Sequence, residues 1–221
     1  MTAWRVEDHR GPAGAHVALP EPDGRTLRRL QVEGPALILG SSQPVEHVDE
    51  VAAARAGVEI ARRRSGGGAV LVGPGLALWW DVFVPASDPL SDPDVGRAFH
   101  WLGRSFADAL QGLGLAASWH EGPMRHSRWS RQVCFAGVGP GEVLVDGRKV
   151  VGLSQRRTRA GALFQCSVML EWEPSALLDV LALEPAERSQ AAADLRDVAT
   201  GIGPSREEDL RAAFLAALGT R

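Results

Sequence analysis

The 221-residue sequence predicts an α/β (α+β) fold: a mixed, mostly antiparallel sheet flanked by helices, in one domain over residues 1–221. Three observations lead there. Short apolar runs punctuated by Gly and Pro recur through the first 170 residues. Asp146-Gly147 between two apolar segments is a hairpin signal, because both turn positions need positive φ. Within 93–113, apolar residues recur at steps of three and four, the spacing of one helical stripe.

Residues 25–32 read as a strand, with Leu27 and Leu30 among polar neighbours. Residues 36–40 (ALILG) read as a buried strand ending in Ser41-Ser42-Gln43-Pro44. A short helix follows over 49–56, with Val48, Val51 and Ala52 inward and Gly57 just past its end. Strand 58–61 leads into Arg62-Arg63-Arg64-Ser65-Gly66-Gly67-Gly68, and strand 69–72 leads out. Gly73-Pro74-Gly75 then turns the chain into 76–84, so 69–84 reads as an antiparallel hairpin. Neighbouring strand residues face opposite ways, which puts at least one of Trp79 and Trp80 in the core. The clearest helix is 93–113, carrying Val95, Phe99, Leu102, Phe106, Leu110 and Leu113, with Asp92 as N-cap and Pro93 at the first position. A short strand over 116–120, an irregular stretch over 122–141, the hairpin 142–145/149–151 and an apolar strand over 162–170 complete the middle. The part 174–219 reads as helical, with a Ser205/Glu208 capping box and Leu210, Phe214 and Leu218 inward.

Composition excludes several classes. Twenty-four Lys+Arg against 27 Asp+Glu give a formal charge of −3, which argues against general nucleic-acid binding. A hydrophobic fraction of 45% is that of a globular chain. Two cysteines, Cys134 and Cys166, are too few for a secreted disulfide scaffold, and no run is apolar enough for a signal peptide or a membrane span. The expected location is cytoplasmic.

Two motifs carry chemistry. In Arg62–Val70 three glycines let the backbone approach an anion, and the arginines offer fixed donors for phosphate or carboxylate; the bland reading is a glycine turn with solvated arginines. It is neither a P-loop nor a dinucleotide fingerprint, since no Gly-Lys-Ser/Thr and no helix follow. In Gly147-Arg148-Lys149-Val150-Val151-Gly152-Leu153-Ser154-Gln155, a lysine follows a hairpin turn, its ammonium held as a point charge; the bland reading is a surface lysine on an edge strand.

RRRSGGGAV followed about 80 residues later by GRKVVGLSQ resembles the lipoate–protein ligase and octanoyltransferase family, relatives of the biotin–protein ligases. The resemblance spans about residues 36–170 and implies a catalytic domain of the biotin-ligase, class II synthetase-like type. It implies that Arg63, Ser65, Gly66, Gly67, Gly68 and Ala69, with Gly152 and Ser154, line an adenylate and acyl pocket, and that Lys149 is the catalytic lysine. It further implies ATP with Mg²⁺ as cofactors, lipoate or octanoate as substrate, and a lipoyl-carrier domain as partner, of the 2-oxoacid dehydrogenase E2 or glycine-cleavage H-protein type. No metal-ligand set is apparent. Leu76–Val84, with Trp79 or Trp80, would supply the acyl slot, where an eight-carbon chain gains at most ~6 kcal/mol.

Cys134 stands 15 positions before Lys149. One octanoyltransferase branch resembles this, with a nucleophilic cysteine at that distance. A thiol beside an ammonium ionises more readily and can carry an acyl group as a thioester; equally, a lone cysteine is often simply buried. Three readings follow. The leading one is an ATP-dependent ligase working through an acyl-adenylate. The second is an ATP-independent octanoyltransferase fed by acyl carrier protein and using Cys134. The third is a non-catalytic binding member, favoured by Gln165-Cys166 where the family carries His-Gly and by a missing N-terminal Asn-x-Ala motif.

Overall fold

The computed structural model describes residues 3–220. Two sheets form its frame. The larger has seven strands in the order β1-β2-β6-β10-β9-β8-β7. These are β1 (Arg5–Gly11), β2 (Thr26–Val32), β6 (Ala77–Pro85), β7 (Ala117–Trp119), β8 (Val143–Val145), β9 (Arg148–Arg157) and β10 (Gly161–Met169). Apart from the parallel β1/β2 pair, every neighbouring pair in it is antiparallel. The smaller sheet, β4-β3-β5, is built from β3 (Ala36–Leu39), β4 (Glu59–Arg62) and β5 (Val70–Val72).

Alternation along β6 divides the molecule. Trp80 faces the helical side, where its ring lies 5.9 Å from Phe106 of α3 (His100–Gly112) and 5.2 Å from Phe214 of α6 (Glu207–Gly219). Those two phenyl rings stack at 4.0 Å. Trp79 faces the other way, into the layer between the sheets, with Ile38, Val70, Val72 and Phe135. Both indoles are buried, one in each layer. The outer side of the small sheet is covered by α2 (Glu50–Arg55), α4 (Pro174–Leu178) and α5 (Pro185–Leu195).

The element readings hold with five corrections. Residues 69–84 are not a hairpin: β5 pairs with β3, β6 pairs with β2 and β10, and Gly73-Pro74-Gly75 carries the chain from one sheet to the other. The long helix begins with a 3₁₀ turn at Arg97, leaving Asp92 and Pro93 outside and Val95 59% exposed. In α2 Asp49 is the N-cap, its carboxylate accepting from Ala52 N–H; Val48 is buried as read, but Ala53 turns inward and Val51 is exposed. Ser205 makes no cap; the capping box belongs to Glu184 and Glu187 of α5, which Pro185 helps to start. The N-terminal residues, unread in sequence, form β1 and the short α1 (Ala13–Val17). Asp146 and Gly147, at φ 50° and 76°, do form the tight turn between β8 and β9.

Candidate active site

The two chemistry-bearing motifs meet where the sheets face each other. The glycine loop joins β4 to β5, and its Gly68 lies against the segment ending in Cys134. A Cβ on Gly68 would sit 2.8 Å from the backbone of Val133 and 2.9 Å from Cys134 N. Ala69 completes this junction: its N–H donates to Gln132 O and its carbonyl accepts from Cys134 N–H, each at 2.8 Å. Gly68 and Ala69 therefore serve to fix the Cys134 segment, a role the sequence reading did not give them. Gly67, at φ 102°, packs on Gly40, and Gly66 alone of the three has open space beside its Cα.

Arg62 and Arg63 also bond to the protein's own backbone. Arg63 is buried; its Nη1 donates to Ile38 O at 3.1 Å and its Nη2 to Gly66 O and Gly68 O at 2.6 and 3.0 Å. Arg62 donates to Gly40 O and Gln43 O. These bonds brace the loop from within. One atom is left over: Arg63 Nε is buried with no hydrogen-bond partner among the described residues.

Lys149 departs most from expectation. It is 1% exposed, on a strand paired on both sides, not on an edge. Its Nζ lies 2.6 Å from Glu142 Oε2 and donates to Cys134 O at 2.9 Å and Gly137 O at 3.0 Å. All three ammonium donors are thus engaged. Glu142 also accepts from Gly139 N–H and Leu153 N–H, so one buried carboxylate ties β9 to the loop after Cys134.

Ser65 Oγ lies 2.7 Å from Ser154 Oγ and donates to Gln165 Oε1 at 2.8 Å; Ser65 N–H donates to the same oxygen. Behind Gln165 stands Asp81, with Gln165 Nε2 3.5 Å from its Oδ1. Burial pushes the Asp81 carboxyl up to about 7, opposed by the Gln165 hydrogen bond and the Arg28 charge. Glu142 and Asp81 went unread in sequence; each is a lone acid beside an apolar strand run, a pattern that marks a paired or buried charge.

These residues enclose a cleft of about 300 Å³ lined by Gly66, Gly67, Gly68, Cys134, Lys149 and Ser154. Cys134, Leu153 and Ser154 also border a deeper slot walled by Ile38, Val70, Val72, Trp79 and Gly152. At about 20 Å³ the slot has room for roughly one water, so an alkyl chain entering it must displace side chains. Gly152 makes room here, since its Cβ would lie 3.2 Å from Phe135 and 3.5 Å from Cys134 Sγ. Cys134 is half-buried at the cleft floor, whereas Cys166 is fully buried and burial holds its thiol well above the usual range. Among the described residues no group of three or more His, Cys, Asp or Glu could hold a metal, and no helix is long and apolar enough to cross a membrane.

Residues 15–216 match the family model described as the lipoyl protein ligase A/B catalytic domain. The chain belongs to this family. Octanoyltransferase LipM of Kyrpidia tusciae is 32% identical over 247 residues, spanning all of this chain and 89% of that protein. Octanoyltransferase LipM of Carboxydothermus hydrogenoformans is 28% identical over 98% of this chain and 85% of its own. Among solved structures, the bi-partite lipoate protein ligase of Thermoplasma acidophilum superposes with a TM-score of 0.76 at 19% identity, over 98% of this chain and 82% of that one. A lipoate-protein ligase A bound with ATP gives 0.70 at 19%, over 99% and 85%. This lipoyl ligase A/B family member shares the fold of those ligases, and it is an enzyme of ligase or octanoyltransferase type that works in lipoyl attachment.

Proposed function

We propose that this family member is an octanoyltransferase that moves an octanoyl group from a carrier-protein thioester to Cys134, and from there to a lysine of a lipoyl-carrier domain. The observation that carries this is the setting of Cys134. Its thiol stands between a cleft and an apolar slot, and its backbone is fixed by Ala69 and Lys149, while two of the motif's three arginines, Arg62 and Arg63, are bonded to backbone carbonyls. The LipM names of the curated relatives support the same choice, so ATP and Mg²⁺ drop out of the leading reading.

The chemistry runs in two balanced steps. Cys134 gives up its thiol proton and its sulfur attacks the thioester carbonyl; the new C–S bond forms, the carrier's C–S bond breaks, and the leaving carrier sulfur takes up a proton in exchange. The ε-amine of the acceptor lysine then attacks the Cys134 thioester, an amide forms, the amine loses a proton and the thiol is restored. Both steps place negative charge on the acyl oxygen. Arg63 lines the slot and its buried Nε has no partner, and we assign this guanidinium as a donor to that oxygen. Lys149 positions Cys134 and adds a fixed positive charge next to it. The slot beside Trp79 takes the alkyl chain. A free thiol nucleophile suits the reducing cytoplasm.

The test compares two donors with a lipoyl domain as acceptor. Octanoyl-carrier protein without ATP is expected to support transfer. Transfer seen solely with free lipoate or octanoate plus ATP would overturn the reading in favour of the adenylate route.

A further inference from the structure

We propose that Ser154 orients the attacking lysine of the lipoyl-carrier domain, its hydroxyl oxygen accepting a hydrogen bond from the ε-amine beside the Cys134 thioester. This rests on the transferase reading above. Ser154 is half-buried on β9 and lines both the cleft and the slot, as Cys134 does. The direction of the hydrogen bonds behind it leaves its oxygen able to accept from the cleft and unable to donate to it.

That direction is set from the backbone outward. Ser65 N–H can only donate, and it meets the side-chain amide of Gln165 at 3.2 Å, so the atom it meets is the oxygen Oε1; a flipped amide would set N–H against N–H. Ser65 Oγ lies 2.8 Å from the same Oε1, and two oxygens that close need a hydrogen between them, which Ser65 supplies. A hydroxyl has one proton, so Ser65 has none left for Ser154. The 2.7 Å contact between the two hydroxyls therefore runs from Ser154 to Ser65. The other acceptor within reach of Ser154, Gln165 O at 3.3 Å, also lies inward, on β10. On either bond the Ser154 proton is spent inside the protein. Ser65 and Gln165 are both buried, so bulk water does not reverse the order.

An oxygen that can only accept selects among the groups that meet at Cys134. The acyl thioester carries an oxygen and no polar hydrogen, so it gains nothing from Ser154. The lysine amine carries two N–H donors. Other acceptors around the cleft already hold donors of the protein's own: Glu142 takes Lys149 and two backbone N–H groups, Gly66 O and Gly68 O take Arg63, and Gln155 Oε1 takes Arg157. One amine N–H on Ser154 fixes how the nitrogen faces the thioester carbon. The nitrogen lone pair forms the C–N bond, the C–S bond to Cys134 breaks, and the proton of the second N–H passes to the sulfur. The N–H held by Ser154 remains in the amide product. Arg63 then serves the acyl oxygen and Ser154 the nitrogen, each with the hydrogen-bond sense its partner needs.

The experiment times the two half-reactions separately in the full-length enzyme. Octanoyl-carrier protein loads Cys134, and intact-mass spectrometry reads the octanoyl increment. After the carrier is removed, a lipoyl domain is added and the loss of the increment is followed. Ser154→Ala is expected to load within about twofold of wild type and to pass the group on about tenfold or more slowly. Ser154→Thr returns a hydroxyl on a side chain suited to a strand, and is expected to transfer faster than Ser154→Ala. If Ser154→Ala melts early, Ser154→Gly replaces it, with the same split expected. Loading and transfer slowed alike would make Ser154 a structural residue, and loading slowed alone would turn its hydroxyl to the acyl oxygen; either overturns the proposal, as does Ser154→Thr transferring no faster than Ser154→Ala. A wild-type enzyme that never acquires an octanoyl group on Cys134 would instead sink the transferase reading. An octanoyl group handed on equally fast by wild type and Ser154→Ala would sink the role of Ser154 alone.

Discussion

A lysine read from sequence as a surface point charge is, in the folded protein, half of a buried ion pair. That changes what its removal does. Lys149→Met leaves Glu142 buried and without its counter-charge, which costs about 3–5 kcal/mol. The variant is therefore expected to lose stability as well as transfer, seen as a drop in the midpoint of urea unfolding. Lys149→Met/Glu142→Gln removes both charges and keeps an acceptor for one of Leu153 N–H and Gly139 N–H, which bond to different oxygens of Glu142. It is expected to recover part of the stability and little of the activity. If it recovered transfer, the positive charge beside Cys134 would have no role. Asp81 makes a second prediction. Its carboxyl is raised from 3.8 to about 7, so between those values the folded chain holds a proton that the unfolded chain releases. Stability then falls as pH rises from about 4 to about 7 and levels off above, a penalty on the order of 4 kcal/mol at alkaline pH. Asp81→Asn is expected to be more stable than wild type at pH 8 and to lose that advantage near pH 4, measured by denaturant unfolding across pH. An equal shift at both values would contradict this origin.

At the scale of elements, the glycine loop separates into parts with different duties. Gly68 is held against the backbone of Val133 and Cys134, and no side chain fits there; Gly66 has open space. Gly68→Ala is expected to lower both the melting temperature and the rate of Cys134 acylation, because the backbone that fixes the thiol must move. Gly66→Ala is expected to melt within a degree or two of wild type and to alter the KM for donor. The opposite ranking of melting temperatures would contradict this division. The motifs themselves were legible because Gly runs, Asp-Gly turns and a lysine after a hairpin are local patterns. Apart from β1, the strands of the large sheet were legible for the same reason, as was the inner stripe of α6 at Leu210, Phe214 and Leu218. Two things were not. The 69–84 turn looks the same whether its strands pair with each other or, as here, with β3 on one side and with β2 and β10 on the other. Lys149 looks the same whether a carboxylate seven positions earlier meets it or points to solvent. Both are decided by contacts distant in sequence, which no local pattern encodes.

At the scale of the whole molecule, the site exists because two sheets share one boundary. Trp80, Phe106 and Phe214 fill one face of the large sheet, and Trp79 with Ile38 and Val72 fills the other. The slot, the cleft and an outer trough that shares Gly67, Met124 and Ser130 with the cleft lie in sequence from that second layer outward. Such an arrangement suits a group handed inward, held on a thiol, and handed out to a second protein. The central claim is that hold. Intact-mass spectrometry of the enzyme incubated with octanoyl-carrier protein and no ATP measures it directly. The expected result is one octanoyl increment, released by hydroxylamine, present in the wild type and absent in Cys134→Ser. An unmodified wild-type mass under conditions where transfer to a lipoyl domain proceeds, or an increment that persists in Cys134→Ser, would contradict it.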